Sequence, residues 1–263
     1  MSQLGPFGDV TVEVGDDHVA VVEVHRPPHN YFNLDLIAAL ADAYEAIDAD
    51  GAGRAILLCS EGRNFCAGAN FGGARPTLDQ DTGGAGRQLY DEAVRLFEGA
   101  TPVVAAVQGA AIGGGLGLAC SADFRVGSPE SRFAANFARL GFHHGFGLTV
   151  TLPLIVGDQA ALELLYTGRR IDGQAAASIG LVERCVPADE LRGEARALAA
   201  EIAASAPLAV RSIRSTMRGH LPDAIRTATE REKAEQERLT SSEDWAEGVR
   251  ATAERRTPQF QGR

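Results

Sequence analysis

Pro102-Val-Val-Ala-Ala-Val-Gln-Gly-Ala-Ala-Ile-Gly-Gly-Gly-Leu-Gly117 is the stretch on which the reading of this chain turns. Val103 to Val107 is a short apolar run of strand length and composition. It breaks at Gln108-Gly109, and three glycines then open a second apolar segment, Leu116 to Ala119, which reads as the start of a buried helix. Glycines at a strand-to-helix junction let backbone N–H groups approach a ligand with no Cβ in the way. The helix start adds unpaired donors and a positive dipole end. Such a junction suits an oxygen that gains negative charge during a reaction, although glycine-rich turns also close packed cores. A membrane span is excluded, because Gln108 and repeated glycines interrupt the run and no basic flank follows.

The 263 residues suffice for one large domain, or one domain with a helical extension. A hydrophobic content of 45% is ordinary for a globular protein. The net charge of −10 argues against a nucleic-acid surface and against docking on an anionic membrane. Cys59, Cys66, Cys120 and Cys185 show neither C-x-x-C spacing nor a disulfide-rich pattern, so they read as reduced thiols of a cytoplasmic protein. Met1 to Asp9 lacks a basic segment followed by an apolar core, so no secretory signal is expected.

Outward from the glycine triplet the elements alternate. Val10–Val14 and Val19–Val24 flank Gly15-Asp16-Asp17 as a hairpin, which Pro27-Pro28 ends. Leu36, Ile37, Leu40, Tyr44 and Ile47 recur at helical spacing between Leu34 and Asp48. Ala55–Cys59 reads as a buried strand, Phe71 to Gly86 as a mobile loop, and Gln88–Gly99 as a helix. Asp123–Val126 is a further strand, and Phe133 to Gly147 is irregular and rich in aromatic residues and histidine. Asp172-Gly173-Gln174 marks a helix start and Leu181–Val186 a last strand; Asp189 to Arg256 carries three or four amphipathic helices. Alternating strands and helices predict a stack of βα units, an α/β fold.

Together these pieces resemble the crotonase family, the enoyl-CoA hydratases and isomerases. The resemblance runs through Arg54-Ala-Ile-Leu-Leu, Asn64-Phe-Cys-Ala-Gly-Ala-Asn, the Pro102–Gly117 stretch and Asp123-Phe-Arg-Val. It continues through Leu152-Pro-Leu-Ile-Val-Gly, Tyr166-Thr-Gly-Arg-Arg-Ile, Gly180-Leu-Val-Glu-Arg-Cys-Val-Pro and the terminal Arg256-Thr-Pro-Gln-Phe-Gln-Gly-Arg. It implies a crotonase-type spiral of ββα units over 1–200 and a helical trimerisation region over 201–263, in a homotrimer or dimer of trimers. It also implies an acyl-CoA substrate, with coenzyme A as part of that substrate and no metal or redox cofactor. The family's oxyanion hole falls on the backbone N–H groups of Ala69 and Gly114, and Ala67 matches the position against the adenine. Gly68, Asn70 and Gly113 flank these positions and are expected to touch the ligand.

The chain departs from the hydratases where they carry two catalytic glutamates. The first position, two residues after the glycine triplet, is Gly117; the second is Phe137. Neither residue can exchange a proton, so two-glutamate hydration is unavailable from these positions. Gly141-Phe-His-His-Gly145 replaces a Gly-x-x-Pro-Gly loop, and relatives resembling the chlorobenzoyl-CoA dehalogenases place a nucleophilic aspartate at the position of Gly145. His144, in the place of the proline, and His143 are therefore the candidate bases, weighed against a role in packing the turn. Asn136 is a candidate partner for a substrate carbonyl, or equally for its own backbone turn, and Phe137 is a wall of an apolar acyl pocket. Asp79, Asp81, Tyr90 and Asp91 are weaker candidates, since a charged loop is ordinarily solvated. His29 and Asn30 fall where relatives contact the coenzyme. Three functions stay open: a hydratase or isomerase with altered acid/base groups, a C–C hydrolase, lyase or dehalogenase-like enzyme using the histidine loop, and a silent acyl-CoA-binding protein.

Overall fold

The computed structural model describes residues 2–70 and 88–263. The expected loop from Phe71 to Gly86, with Asp79 and Asp81, lies outside the described residues.

A seven-stranded sheet carries the chain. Its strands are β1 (Ser2–Phe7), β2 (Val10–Val14), β3 (Val19–Val24), β4 (Ala55–Ser60), β5 (Val103–Val107), β7 (Phe124–Gly127) and β10 (Arg184–Cys185). They are ordered β1-β2-β3-β4-β5-β7-β10, antiparallel through β3 and parallel from there on. A second sheet pairs β6 (Ala110–Ile112) with β8 (Arg132–Ala134) and then β9 (Ile171–Asp172).

The continuous apolar run of β5 follows from its place in the middle of the large sheet, where all five residues are buried. Val103, Ala105 and Val107 face the same core as Leu36, Ile37, Leu40, Tyr44 and Ile47 of α1 (Leu34–Asp50). Val104 and Ala106 face the other way, onto Leu191, Ala195, Ala199 and Ala203 of α7 (Leu191–Ala203). That stripe repeats every four residues, and its small side chains let the helix lie close on the sheet. Asn33 caps α1 by accepting from the Leu36 N–H at 3.0 Å, and Gly51 ends the helix in the left-handed conformation.

The remaining helices are α2 (Leu89–Glu98), α3 (Gly114–Ser121), α4 (Leu148–Val156), α5 (Asp158–Thr167), α6 (Gly173–Ser178), α8 (Pro207–Arg218), α9 (Leu221–Thr240) and α10 (Glu243–Ala253). Four helices thus fill Asp189 to Arg256, and Asp172 caps α6 as its sequence suggests. One strand is unexpected and one is shorter than expected. Ser2–Phe7 is an edge strand, although Gly5-Pro6 breaks its alternation. Of Leu181–Val186, only Arg184–Cys185 pairs in the sheet. Among the described residues no helix is long and apolar enough to cross a membrane.

Candidate active site

Two loops meet beside β5 and build the site. Asn30 is buried and holds the first: its amide donates to the carbonyls of Glu61 at 2.9 Å and Asn64 at 2.6 Å. The Ala67 N–H donates to the His29 carbonyl at 2.9 Å, and Phe32 N–H to the Gly68 carbonyl at 3.2 Å. The second loop leaves β6 at Gly113, whose φ of +57° suits glycine, and enters α3. Cys66 ties the loops together, donating to the Ala110 carbonyl at 2.8 Å and accepting from Ile112 N–H at 3.1 Å. A Cβ on Gly115 would stand 2.2 Å from the Cys66 carbonyl oxygen, so only glycine permits this approach.

Ala69 and Gly114 sit at the ends of these loops and line one cavity of about 550 Å³. Neither N–H donates to a backbone carbonyl among the described residues; Gly114 opens α3, where no preceding turn supplies an acceptor. Ala67, Gly68, Asn70, Gly113, Asn136 and Phe137 line the same cavity, as do His29 and Tyr31. Asn136 directs its Oδ1 toward Gly113, 3.2 Å from where a Cβ would stand.

The far wall is aromatic. Phe32 meets Phe146 edge-on at 5.6 Å, Phe137 meets Phe142 at 5.5 Å, and Trp245 of α10 backs Phe142 at 4.4 Å. Phe146 closes the space beside Gly117: a Cβ there would stand 2.6 Å from the Phe146 Cβ. Phe146 is buried with φ +62°, a strained conformation for a bulky residue.

His143 and His144 are not among the residues that line this cavity. Their rings stack at 4.1 Å, and His143 Nδ1 donates to the His144 carbonyl at 2.8 Å. The Thr149 hydroxyl donates to Glu232 at 2.6 Å, so His144 Nε2, 2.9 Å from that hydroxyl, is the donor between them. Burial, helped by the neighbouring His143, holds the His144 pKa down to about 4 and keeps the ring neutral. Glu232 reaches from α9 to cap α4, accepting from Gly147 N–H at 2.9 Å and Thr149 N–H at 3.0 Å. Burial pushes its carboxyl up against the pull of these donors.

Tyr90, set aside with the charged loop, also lines the cavity, while Asp91 is exposed. Gln236, the partner of Tyr90, and the ring of Phe146 carry no mark in their own segments, since residues from distant segments place them. Among the described residues no group of three or more His, Cys, Asp and Glu side chains is placed to hold a metal.

The enoyl-CoA hydratase/isomerase family profile matches residues 15–263. A crotonyl-CoA hydratase of Syntrophomonas wolfei subsp. wolfei is 32% identical over 251 residues, covering 93% of this chain and 95% of that one. A carnitinyl-CoA dehydratase of Proteus mirabilis is 33% identical over 254 residues, covering 93% and 95%. An enoyl-CoA hydratase/isomerase structure from Pseudoalteromonas atlantica T6c superposes with a TM-score of 0.85 at 31% identity, covering 96% of this chain and all of that one.

Proposed function

Because the chain belongs to the enoyl-CoA hydratase/isomerase family and has its crotonase fold, we propose that it binds an acyl-CoA thioester with the carbonyl oxygen between the N–H groups of Ala69 and Gly114. The observation that carries this reading is a pair of backbone donors lining one cavity, neither of which reaches a backbone carbonyl among the described residues. Preorganised donors of this kind contribute about 3–4 kcal/mol each to an oxygen that turns enolate-like, because they need no reorganisation as charge develops. Coenzyme A enters as part of the substrate, along Ala67, Gly68 and Asn70, with no resident cofactor. Asn136 and Gly113 border the carbonyl, and Phe137 supports the apolar acyl group.

The two-glutamate hydration is not this chain's reaction. Phe137 holds one position, and Phe146 fills the space a side chain at Gly117 would need. Acid/base work falls to another group. The histidine loop would have to serve C–C cleavage or dehalogenation, but the His144 ring turns toward Thr149 and Glu232, and the His143 ring is held against His144. That placement favours enolate chemistry at the thioester over a histidine-driven reaction.

The chain assembles with copies of itself, as a trimer or a dimer of trimers. Helix α8 docks by its polar face: Arg214 and Arg218 reach Asp123 at 3.1 and 3.0 Å. Its apolar face points outward, with Leu208 82%, Met217 68% and Ile213 62% exposed.

Crotonyl-CoA in ¹⁸O-water tests the reading of the chemistry. Positioned acid/base groups contribute about 10²–10⁴-fold, so hydration should lag the Syntrophomonas enzyme by at least that factor. Hydration at a comparable rate would overturn it.

A further inference from the structure

Phe32 joins the two oxyanion donors. Its N–H donates to the Gly68 carbonyl and it pairs with Ala69 in a parallel β-bridge. Its ring lies on Gly114, where a Cβ would stand 2.3 Å from two of the ring atoms. Phe146 holds that ring in turn, meeting it edge-on at 5.6 Å. The placement of Phe146 itself needs a cause. Its φ is +62° and that of Gly147 is +72°, two left-handed residues in succession, the first of them bulky.

The cause lies on α9. Glu232 is fully buried and is not among the residues that line the cavity. One of its oxygens accepts from the Gly147 N–H at 2.9 Å. The other accepts from the N–H and the hydroxyl of Thr149, at 3.0 and 2.6 Å. Ile225, two turns earlier on α9, presses on the same bend: a Cβ on Gly147 would stand 2.7 Å from its Cδ1. Both oxygens of a carboxylate accept, which a glutamine, with one oxygen and one donating amide, cannot match.

We infer that Glu232 is a positioning residue for the oxyanion hole. By fixing the bend at Phe146 and Gly147 it holds the Phe32 ring, and through Phe32 it keeps the N–H groups of Ala69 and Gly114 in place. This rests on the acyl-CoA reading above. A buried carboxylate that only caps α4 governs stability alone, whereas one that sets the donors also governs how strongly they polarise a bound carbonyl.

The test is ¹³C NMR of carbonyl-labelled butyryl-CoA bound to the whole chain and to its variants. In the parent chain the carbonyl resonance should move downfield on binding. Glu232→Gln should still take up the thioester, since no residue of the cavity wall is changed, yet lose about half or more of that displacement. Phe146→Gly accepts the left-handed bend, removes the ring and should lose a similar share. Adding Glu232→Gln to Phe146→Gly should cost nothing more, because the carboxylate acts through the ring. Should Glu232→Gln not fold, Glu232→Asp takes its place: it keeps the charge, falls one methylene short of the bend and should lose displacement likewise. Full displacement in a thioester-saturated Glu232 variant or in Phe146→Gly overturns the inference, as does a Glu232 effect that recurs undiminished in the double variant. A parent chain that binds no thioester, or binds it with the carbonyl resonance unmoved, overturns the thioester reading and this inference with it.

Discussion

Gly117→Ala isolates the contact that keeps a side chain out of the first glutamate position. The new Cβ would stand 2.6 Å from the Phe146 Cβ and 2.8–2.9 Å from its ring atoms. The Phe146 Cβ is fixed to the backbone and cannot swing aside, so the overpacking cost falls in the upper part of the usual range, about 2–3 kcal/mol. Gly117 lies inside α3, where alanine gains about 1 kcal/mol over glycine. The net loss is about 1–2 kcal/mol, a fall in Tm of roughly 2–8 °C for a chain of this size. In a Phe146→Gly background the obstacle is gone. Glycine also accepts the φ of +62° there. Gly117→Ala should then stabilise by about 1 kcal/mol, from the helix term alone. Thermal and urea unfolding of the four proteins should give a coupling of about 2–3 kcal/mol. A Gly117→Ala that is neutral or stabilising in the parent, with no coupling to Phe146, would refute the reasoning.

Three further outcomes follow from the same contacts. His144 titrates near 6.5 in the unfolded chain and near 4 in the folded one, so the unfolded chain binds more protons between those values. Stability should fall by up to about 3 kcal/mol as pH drops through that window, and His144→Gln should flatten the profile in urea titrations. Gly114→Ala would put a Cβ 2.3 Å from two Phe32 ring atoms, forcing the ring to move within the cavity wall. Thioester affinity by calorimetry should fall about tenfold, equal to about 1.4 kcal/mol. Ile213→Glu with Met217→Glu should leave the α8 arginine contacts in place and lower the mass measured by light scattering; an unchanged mass would remove α8 from the interface.

Much of the fold is legible where one local pattern decides it. The β5 run is buried on both faces, the hairpin carries β-branched residues around a turn, and α1 has its cap and its stripe in sequence. The C-terminal helices are equally plain, because each keeps an amphipathic period. Ser2–Phe7 hides its strand character behind Gly5-Pro6, and its pairing comes from β2. Arg184–Cys185 is too short to read, and its pairing to β7 is set by neighbours outside its own segment.

The site divides in the same way. Ala69 and Gly114 are visible because backbone donors need small residues and glycine turns, which a sequence records directly. The aim of His143 and His144 is not recorded there. It is decided by Glu232 and Gln236, some ninety residues further on, and by the packing of α9. Two histidines between glycines look like acid/base groups, yet the polar residues that line the cavity there are Tyr90, from a helix fifty residues earlier, and Gln236, from α9. Phe146 is equally hidden, since nothing in its own segment marks a left-handed phenylalanine.

The central claim is that Ala69 and Gly114 polarise a thioester carbonyl, and ¹³C NMR of butyryl-CoA labelled at that carbon tests it most directly. Two N–H donors on the oxygen should draw electron density from the carbon and move its resonance downfield when the ligand binds. A saturably bound thioester whose carbonyl resonance stays at its free position would contradict the account.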